Sequence, residues 1–432
     1  MMHSANPLRT RLALTAALFL SVALGGCDAL DRLLDVETPS RVVEADLDDP
    51  VRASLLVESV QNEFRCAFAH YVNLSGTIGW EWSTTTDGAT ARSFLEARQF
   101  TPSGFGAGAY ATGECGSATA HYMTLSRARW FADDVLERLD GWEGALGAEK
   151  TEWEAEVAAW SGYSYVFFGE SMCSVAFDGG PEQTPEDAFE LALSKFDRAV
   201  AAAQASGRQD FVNLARVGKG RTLLNLGRTS EAASAVADVP EGFSFELDYS
   251  SVASVTNNRQ FRDNHQDEAL TVGERYRNME FRGVSDPRVP VENQGFDPTG
   301  FGVTLWTQHK YESLGDPVRL ASWEEAALIR AEAAVEEGRL QDAVALINAL
   351  HANVGLPELE SNDPDEIMDV LIYNRRAELF LESHHLMDLK RYDLGLHPEP
   401  GTPFYTGGMS YAERTCLPLP DVERNNNPNI PS

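Results

Sequence analysis

The chain has 432 residues, of which 43% are hydrophobic and 23% are charged. This composition is typical of a folded globular protein and excludes a disordered, collagen-like or coiled-coil chain. There are 35 lysine and arginine residues against 66 aspartate and glutamate residues, which gives a formal net charge of −31. Nucleic acids and acidic lipid headgroups repel such a protein. We therefore expect neither nucleic-acid binding nor attachment to a membrane by charge alone.

The first 27 residues have the layout of a bacterial lipoprotein signal peptide. Arg9 and Arg11 precede an apolar stretch, Leu12 to Leu24, that is too short for a comfortable membrane span. The stretch ends in Leu-Gly-Gly-Cys, which resembles a lipobox. The sequence therefore predicts a cleaved signal peptide and a lipid-modified Cys27.

We expect the mature protein to be anchored in a membrane by lipid. Residues 1–26 are removed in this interpretation, and two or three acyl chains on Cys27, such as palmitate, suffice for stable anchoring. Residues 27–50 form an acidic tether. Asp28 resembles an inner-membrane retention signal of enterobacteria that other bacterial groups do not follow, so the sequence leaves both membranes open. The rest of the chain contains no apolar run long enough to span a bilayer.

Hydrophobic periodicity predicts a mainly α-helical protein. Apolar residues recur at the spacing of one helix face near residues 51–72, 118–140, 149–169, 185–206, 210–226, 229–238, 322–337, 340–352, 364–382 and 384–394. Thr184-Pro185 and Asp363-Pro364 each place a capping side chain before a proline, which is typical of a helix start.

Two of these regions share the spacing of tetratricopeptide-like helix pairs. Gly220, Leu223, Gly227, Ala232 and Val236 recur at the same offsets as Ala331, Ala334, Gly338, Ala343 and Ile347. Small residues at these offsets let two antiparallel helices pack closely, and the glycine marks the turn between them. Any close helical hairpin favours small residues, but the repeated spacing favours tetratricopeptide-like pairs.

Two long regions lack helical periodicity and are rich in Gly, Asn, Thr, Ser and aromatic residues. Loops of this length are usually functional or disordered, and the aromatic content argues against disorder. We therefore expect a single domain in which a helical scaffold carries a loop-rich ligand face. The domain covers residues 51–432, with the scaffold at 118–240 and 322–395 and the loop-rich face at 73–117 and 241–321.

The C-terminal third carries three ordered motifs that resemble the SusD/RagB family. Residues 328–356 contain Arg-Ala-Glu-Ala, a glycine turn and Asp-Ala…Ile-Asn…Gly-Leu. Residues 375–391 contain Arg-Arg-Ala-Glu-Leu and Asp-Leu-Lys-Arg, and residues 417–429 contain Leu-Pro-Leu-Pro and Asn-Pro-Asn. Ser383 and His385 depart from the pattern, since the family usually has Gly and Arg at these places.

The resemblance implies a SusD-like fold and a function. Members of this family are outer-membrane lipoproteins on the cell surface. They bind glycans or other nutrients, cover a SusC-like TonB-dependent transporter and catalyse no reaction. We therefore expect a nutrient-binding partner of such a transporter, without a cofactor. The alternative is a periplasmic tetratricopeptide-scaffold lipoprotein that binds proteins during envelope assembly.

Aromatic residues in the loops are the candidate ligand contacts, because flat rings stack on the apolar faces of sugars. The candidates are Trp80, Trp82, Tyr110, Trp306 and Tyr311, with Asp87 and Arg92 as polar partners. If Trp80 and Trp82 lie on one strand, their rings share a face. The alternative is that the rings form small cores beneath the loops. Starch, another glycan and a peptide all remain open as ligands.

The charged residues of the motifs are expected to be structural. Opposite charges at helical spacing form ion pairs. The residues expected to do so are Arg330, Glu332, Arg375, Glu378, Glu382, Asp388 and Arg391. His384 and His385 are adjacent, so on a helix their side chains diverge by about 100°, and we expect no metal site.

Four cysteines follow Cys27: Cys66, Cys115, Cys173 and Cys416. An even number in an oxidising compartment predicts two disulfides. Three pairings satisfy this count, and we favour Cys66–Cys115 with Cys173–Cys416.

Overall fold

The structure, a computed structural model, describes residues 47–104, 106–142 and 144–430. The chain divides into a segment that ends at Arg52 and a unit that begins at Ala53. The described part of the first segment contains a 3₁₀ turn at Pro50–Arg52. The predicted signal peptide, Cys27 and most of the predicted tether lie outside the described residues. Within the described part, none of the helices combines the length and the hydropathy that a bilayer span requires.

Helices dominate the unit, which confirms the predicted fold class. They are α1 (Ala53–Ile78), α2 (Ala91–Glu96), α3 (Tyr122–Gly141), α4 (Glu149–Ser171), α5 (Pro185–Ser206), α6 (Gln209–Asn225), α7 (Thr229–Ala235), α8 (Trp323–Glu336), α9 (Leu340–Val354), α10 (Pro364–Glu378), α11 (His385–Arg391) and α12 (Asp421–Asn426). Shorter turns lie at Ser254–Thr256, Arg259–Phe261, Arg262–Gln266 and Glu274–Tyr276.

Two helices begin at the predicted caps. The Thr184 side chain accepts a hydrogen bond from the backbone N–H of Asp187, and the Asp187 carboxylate accepts one from the backbone N–H of Thr184. The Asp363 side chain accepts a hydrogen bond from the backbone N–H of Asp365. These bonds satisfy backbone donors that a helix start leaves unpaired, so the chain enters α5 and α10 at defined residues.

The glycines of the shared spacing allow the helix pairs α6–α7 and α8–α9. Gly227 and Gly338 end their first helices with φ of +70° and +74°, a left-handed conformation that glycine adopts without steric cost. A Cβ atom on Gly220 would lie 2.4 Å from Cγ1 of Val236. The tetratricopeptide-like pairs predicted from the sequence are therefore present.

The helix α1 extends further than the sequence predicted. The sequence predicts a loop at Asn73 to Ile78, because Asn, Ser, Gly and Thr are weak helix formers. All six residues are buried helix, and Thr77 donates its hydroxyl proton to the backbone oxygen of Asn73. Gly76 lets Trp82 pack against the helix, since a Cβ atom there would lie 2.9 Å from the Trp82 ring. Tertiary packing thus overrides local propensity.

Aromatic rings fill the core between α1, α4, α5 and α6. Phe64 of α1 stacks on Trp160 of α4 with ring centroids 4.9 Å apart, and Tyr71 stacks on Phe167 at 4.5 Å. On α6, Gly218 leaves room for Phe196, whose ring would lie 2.4 Å from an added Cβ atom. The core therefore joins the N-terminal helix to the hairpins.

Short antiparallel strands connect the loops. They are β1 (Trp82–Thr84), β2 (Ser244–Leu247), β3 (Leu270–Val272), β4 (Glu280–Phe281), β5 (Val284–Ser285), β6 (Val291–Asn293), β7 (Trp306–Gln308) and β8 (Val318–Ser322). The pairs are β1–β3, β2–β8, β4–β5 and β6–β7. In β1–β3, Trp82 lies opposite Val272. These strands hold the two loop-rich regions together.

The charged residues of the C-terminal motifs form buried ion pairs. Arg375 lies 2.9 Å from Asp388, and Arg391 contacts both Asp388 and Glu332. The Glu382 carboxylate lies 2.8 Å from the Arg319 guanidinium and 2.5 Å from the Lys310 ammonium. Most of these acids and bases come from different helices and strands, so the ion pairs fix the packing of α8, α10 and α11 against β8.

The two residues that depart from the family pattern occupy buried positions. Ser383 has φ of +73°, a conformation that favours the glycine usual in the family. Its hydroxyl and backbone oxygen both accept from Arg221. Burial lowers the pKa of His385 to about 3, so His385 is neutral where the family has a cation.

The structure contains the disulfides Cys66–Cys115 and Cys173–Cys416, the pairing that the sequence favoured. The first ties α1 to the loop between α2 and α3. The second ties the end of α4 to the segment before α12.

Candidate ligand-binding face

An open cleft of about 750 Å³ lies on the loop-rich face. Its walls are the start of α2, the loop between α2 and α3, and one residue of α12. The lining residues are small or hydroxyl-bearing: Ala89, Thr90, Ala91, Pro102, Ser103, Gly104, Gly108, Ala109, Ala111, Thr112, Gly113, Ser117, Ala118, Thr119 and Val422. This volume lies in the range of small-molecule sites, and the lining leaves much backbone within reach of a ligand.

A turn over residues 84–90 forms the rim of the cleft and carries Asp87. The Asp87 carboxylate is exposed and accepts a hydrogen bond from the backbone N–H of Ala89. Tyr405 packs on the other side of the turn, where its hydroxyl donates to the backbone oxygen of Thr84 at 2.5 Å. Tyr405 is 39% exposed, so part of its surface stays accessible next to this turn.

The buried Glu96 carboxylate fixes this rim by accepting hydrogen bonds from it. One carboxylate oxygen accepts from the Ser83 hydroxyl at 2.7 Å, the Tyr411 hydroxyl at 2.9 Å and the Trp80 indole N–H at 3.2 Å. The other oxygen accepts from the backbone N–H and the hydroxyl of Thr84, each at 2.8 Å. Burial raises the pKa of Glu96, although these donors oppose the shift. One carboxylate thus positions Trp80 and the strand to which Tyr405 binds.

We expect Glu96→Gln to destabilise the rim. The substitution turns one acceptor oxygen into an N–H donor that faces buried donors, which should cost about 1–3 kcal/mol of unfolding free energy. Chemical denaturation measures this change. Glu114→Gln is the control, because Glu114 is exposed on the same face and should change stability by less than about 0.5 kcal/mol. Equal stability of the two variants would show that Glu96 anchors nothing.

Of the predicted aromatic contacts, Trp80 and Trp306 are half-buried. Trp80 has φ of +65°, which turns it out of the strand that begins at Trp82, and its ring meets His397 edge-on. The Arg277 guanidinium covers the Trp306 ring at 5.1 Å. Both rings therefore keep part of their surface available on the loop-rich face.

The hairpin loop between β6 and β7 adds two exposed rings, Phe296 and Phe301, each 45% exposed. The Asp297 carboxylate fixes the loop by accepting from the backbone N–H groups of Thr299 at 3.0 Å, Gly300 at 2.9 Å and Gly302 at 2.6 Å. The Thr299 hydroxyl donates to the backbone oxygen of Thr85, so the hairpin is attached to the cleft rim.

Three predicted contacts lie in the interior, and the expectation that they stack on a ligand is corrected. Trp82 is fully buried against α1. Tyr110 is 1% exposed and donates to the backbone oxygen of Pro418 at 2.6 Å. Tyr311 is 4% exposed and donates to the backbone oxygen of Leu381. These rings form cores beneath the loops, the alternative that the sequence left open.

Arg92, the last predicted polar partner, does not line the cleft itself but a small recess that shares Ala118 and Thr119 with it. Its guanidinium is 16% exposed and forms an ion pair with buried Asp263 at 3.1 Å. Asp87 and Arg92 therefore belong to the same segment, with Asp87 at the rim of the cleft and Arg92 in the adjoining recess.

Glu81, next to Trp80, is a buried acid. Burial raises the pKa of Glu81 to about 8, and the backbone N–H of Leu381 donates to its Oε1 at 2.9 Å. Burial likewise raises the pKa of Glu325 to about 8. Both carboxyls are therefore protonated in the folded protein at neutral pH and ionised in the unfolded chain.

We expect stability to fall as the pH rises from about 6.5 to 8. A carboxyl with a raised folded pKa contributes stability that is complete below its unfolded pKa, about 4.3, and lost as the pH passes the folded value, with a slope of about 1.4 kcal/mol per pH unit and group. Buried His121 and His385, whose pKa values burial lowers to about 3, act in the opposite direction below pH 6.5. Unfolding curves at pH 6.5, 7.25 and 8 test this, and Glu81→Gln should reduce the slope. A slope unaffected by Glu81→Gln would contradict the assignment.

Within the described ranges, no group of three or more His, Cys, Asp or Glu side chains is placed to hold a metal ion. Glu382 is held by Lys310 and Arg319, as the structural interpretation of the motif acids expects.

Comparison with known proteins relates the C-terminal part of the chain to a protein family. Residues 318–430 match the model of the SusD family. This part of the chain belongs to the SusD family. The match covers the part of the chain that contains β8, the hairpin α8–α9 and the ion pairs of the C-terminal motifs. A comparison with curated protein sequences finds no match.

Solved structures of SusD-like proteins share the fold. A SusD superfamily protein from Bacteroides fragilis has a TM-score of 0.66 at 12% identity, covering 89% of this chain and 99% of its own. One from Bacteroides vulgatus has a TM-score of 0.64 at 12% identity, with 89% and 98% covered. A laminarin-binding SusD-like protein has a TM-score of 0.61 at 13% identity, with the same coverage. At these identities the similarity shows the fold alone.

Two features of the face were missed by the sequence analysis. Tyr405 lies in a loop after α11, outside the regions assigned to the ligand face, although its Phe-Tyr-Thr-Gly-Gly context is typical of an aromatic loop. Glu96 carries no local signal, because its partners come from β1 and from Tyr411, a residue 315 positions away.

Proposed function

We propose that this SusD-family protein binds a glycan at the loop-rich face and delivers it to a SusC-like TonB-dependent transporter, without catalysing a reaction. The observation that carries the proposal is the cleft of about 750 Å³, with the partly exposed Tyr405 next to the turn that forms its rim. Loops line this cleft, while the helix hairpins contribute nothing to its lining. The laminarin-binding protein of the same fold supports a glycan as the ligand.

The residues of the face suit a sugar chain. Tyr405 and Trp306 provide flat apolar surfaces, and Thr90, Ser103 and Thr119 place hydroxyls along the cleft. Exposed backbone groups of the glycine-rich wall can donate to and accept from sugar hydroxyls. The alternative, a periplasmic scaffold that binds proteins, is favoured only by Asp28 after Cys27.

Affinity electrophoresis of the mature chain without its lipid tests the proposal. Laminarin, starch and xylan serve as probes, together with a glycan and peptide array. Retardation by at least one glycan is expected, and Trp306→Ala and Tyr405→Ala should each weaken that binding by about tenfold, the effect of losing an aromatic anchor. Trp130→Ala is the matched control, since Trp130 is an exposed tryptophan on α3 of the scaffold. Binding of peptides alone would overturn the proposal.

We also propose that Cys27 carries the lipid that anchors the protein at the outer membrane, with the folded unit exposed at the cell surface. Cys27→Ala should move the protein from the membrane fraction to the soluble fraction, because acyl chains and not charge hold it there. Cell fractionation and protease accessibility of intact cells measure this. Unchanged membrane association of the variant would refute lipidation at Cys27.

A further inference from the structure

A small recess continues the cleft inward. It has room for about one water molecule, with a volume of about 20 Å³. Ala118 and Thr119 belong to the walls of both the recess and the cleft. The polar side chains that line the recess are His70, Asn73, Thr77, Arg92, Thr119 and Asp263.

The charges around the recess do not balance. Asp263 is 1% exposed and accepts on Oδ2 from Asn73 at 2.7 Å and from Arg259 at 3.1 Å. The Arg92 Nη2 atom lies 3.1 Å from Oδ1, as an ion pair without the alignment of a hydrogen bond. Two guanidinium groups therefore share one carboxylate, which leaves a surplus positive charge at the recess beside the cleft, in a protein of net charge −31.

The surplus belongs to the accessible member of the group. Arg259 is 3% exposed and donates to the backbone oxygens of Cys115 and Ala118, which turns it towards the protein. Arg92 has five N–H donors, is 16% exposed and lines the recess, which shares Ala118 and Thr119 with the cleft. A guanidinium in this state is suited to a planar carboxylate, which it binds through two parallel hydrogen bonds.

We propose that Arg92 is a specificity-determining residue that binds the carboxylate of a uronic acid in the glycan. One carboxylate oxygen enters the recess and the sugar ring stays in the cleft. The proposal rests on the proposed function and names its substrate class. The exposed acids Asp87 and Glu114 near the cleft disfavour a polyanion, so the glycan carries isolated uronates on a neutral chain.

The test compares acidic and neutral forms of the same sugars. Uronate-bearing oligosaccharides from glucuronoxylan and from arabinogalactan are titrated into the mature chain by calorimetry, each beside its carboxyl-reduced counterpart. At least one acidic form should bind about tenfold more tightly than its reduced form, the effect of a charge-assisted hydrogen bond, and this ratio should fall with salt. In Arg92→Gln the ratio should approach one, and Arg92→Lys should retain part of it.

Arg339→Gln is the control, because it removes the same charge from an exposed site beside α9 and should keep the ratio. Thermal unfolding of each variant shows whether it is folded. If Arg92→Gln does not fold, Arg92→Lys still tests the inference. Equal binding of acidic and reduced forms, or a ratio unchanged in Arg92→Gln, overturns the inference. Binding of laminarin without binding of any uronate-bearing oligosaccharide also overturns the inference, but it leaves the proposed function intact. If no glycan binds at all, the proposed function itself is overturned.

Discussion

Replacing Arg221 with leucine is expected to lower the free energy of unfolding by about 3–5 kcal/mol, the cost of leaving a buried carboxylate without its partner. Arg221 on α6 donates to the Glu170 carboxylate of α4 at 2.7 and 2.6 Å, and both side chains are at most 4% exposed. Burial alone would lower the pKa of Arg221, but Glu170 outweighs it and raises the pKa above its usual value. Chemical denaturation of the variant measures the loss.

The same pair connects the N-terminal helices to the family motifs. Tyr71 of α1 donates to Glu170 at 2.6 Å, and Arg221 donates to the backbone oxygen of Ser383 at 2.9 Å. The double variant Arg221→Leu/Glu170→Leu removes both charges and should recover a large part of the loss, since apolar side chains then fill the site. A single variant as stable as the parent chain would refute the importance of the pair.

The second large effect is expected from the disulfides. Cys173–Cys416 joins residues 243 positions apart, and Cys66–Cys115 joins residues 49 positions apart. Chain entropy predicts losses of about 5.5 and about 4 kcal/mol when each pair is replaced by serine. Guanidinium unfolding of both double variants tests the magnitudes and their order.

The two disulfides should differ in their effect on binding. None of the four cysteines lines the cleft, but Cys66–Cys115 attaches to α1 the segment between Gly113 and Ser117, two residues of the cleft wall, whereas the neighbours of Cys173 and Cys416 are not part of the wall. Loss of Cys66–Cys115 should therefore weaken glycan retardation in affinity electrophoresis, and loss of Cys173–Cys416 should affect it less. The reverse order would mean that the wall keeps its shape without the bond.

Sequence patterns predicted the scaffold because its signals are local. The periodicity of α9, the cap at Thr184 and the glycine turns at Gly227 and Gly338 each depend on residues within a few positions. Six of the motif charges, Glu332, Arg375, Glu378, Glu382, Asp388 and Arg391, also form ion pairs, but mostly with partners on other elements and not at the helical spacing that the sequence predicted.

The face was harder to predict because exposure depends on the whole fold. Trp82 and Trp306 have similar local contexts, yet one fills a core against Gly76 and the other stays half-buried. Likewise, the charge environment of Arg92 depends on its ion pair with Asp263, a residue 171 positions later in the chain. No local pattern contains such pairings.

The lining of the cleft has a consequence for how the protein diversifies. Its wall between α2 and α3 is made largely of glycine, alanine, serine and threonine, so a bound molecule meets mainly peptide groups. Point substitutions leave peptide groups in place, whereas insertions and deletions redirect them. A change in the path of this segment therefore reshapes the cleft, while the helices beneath it can stay the same.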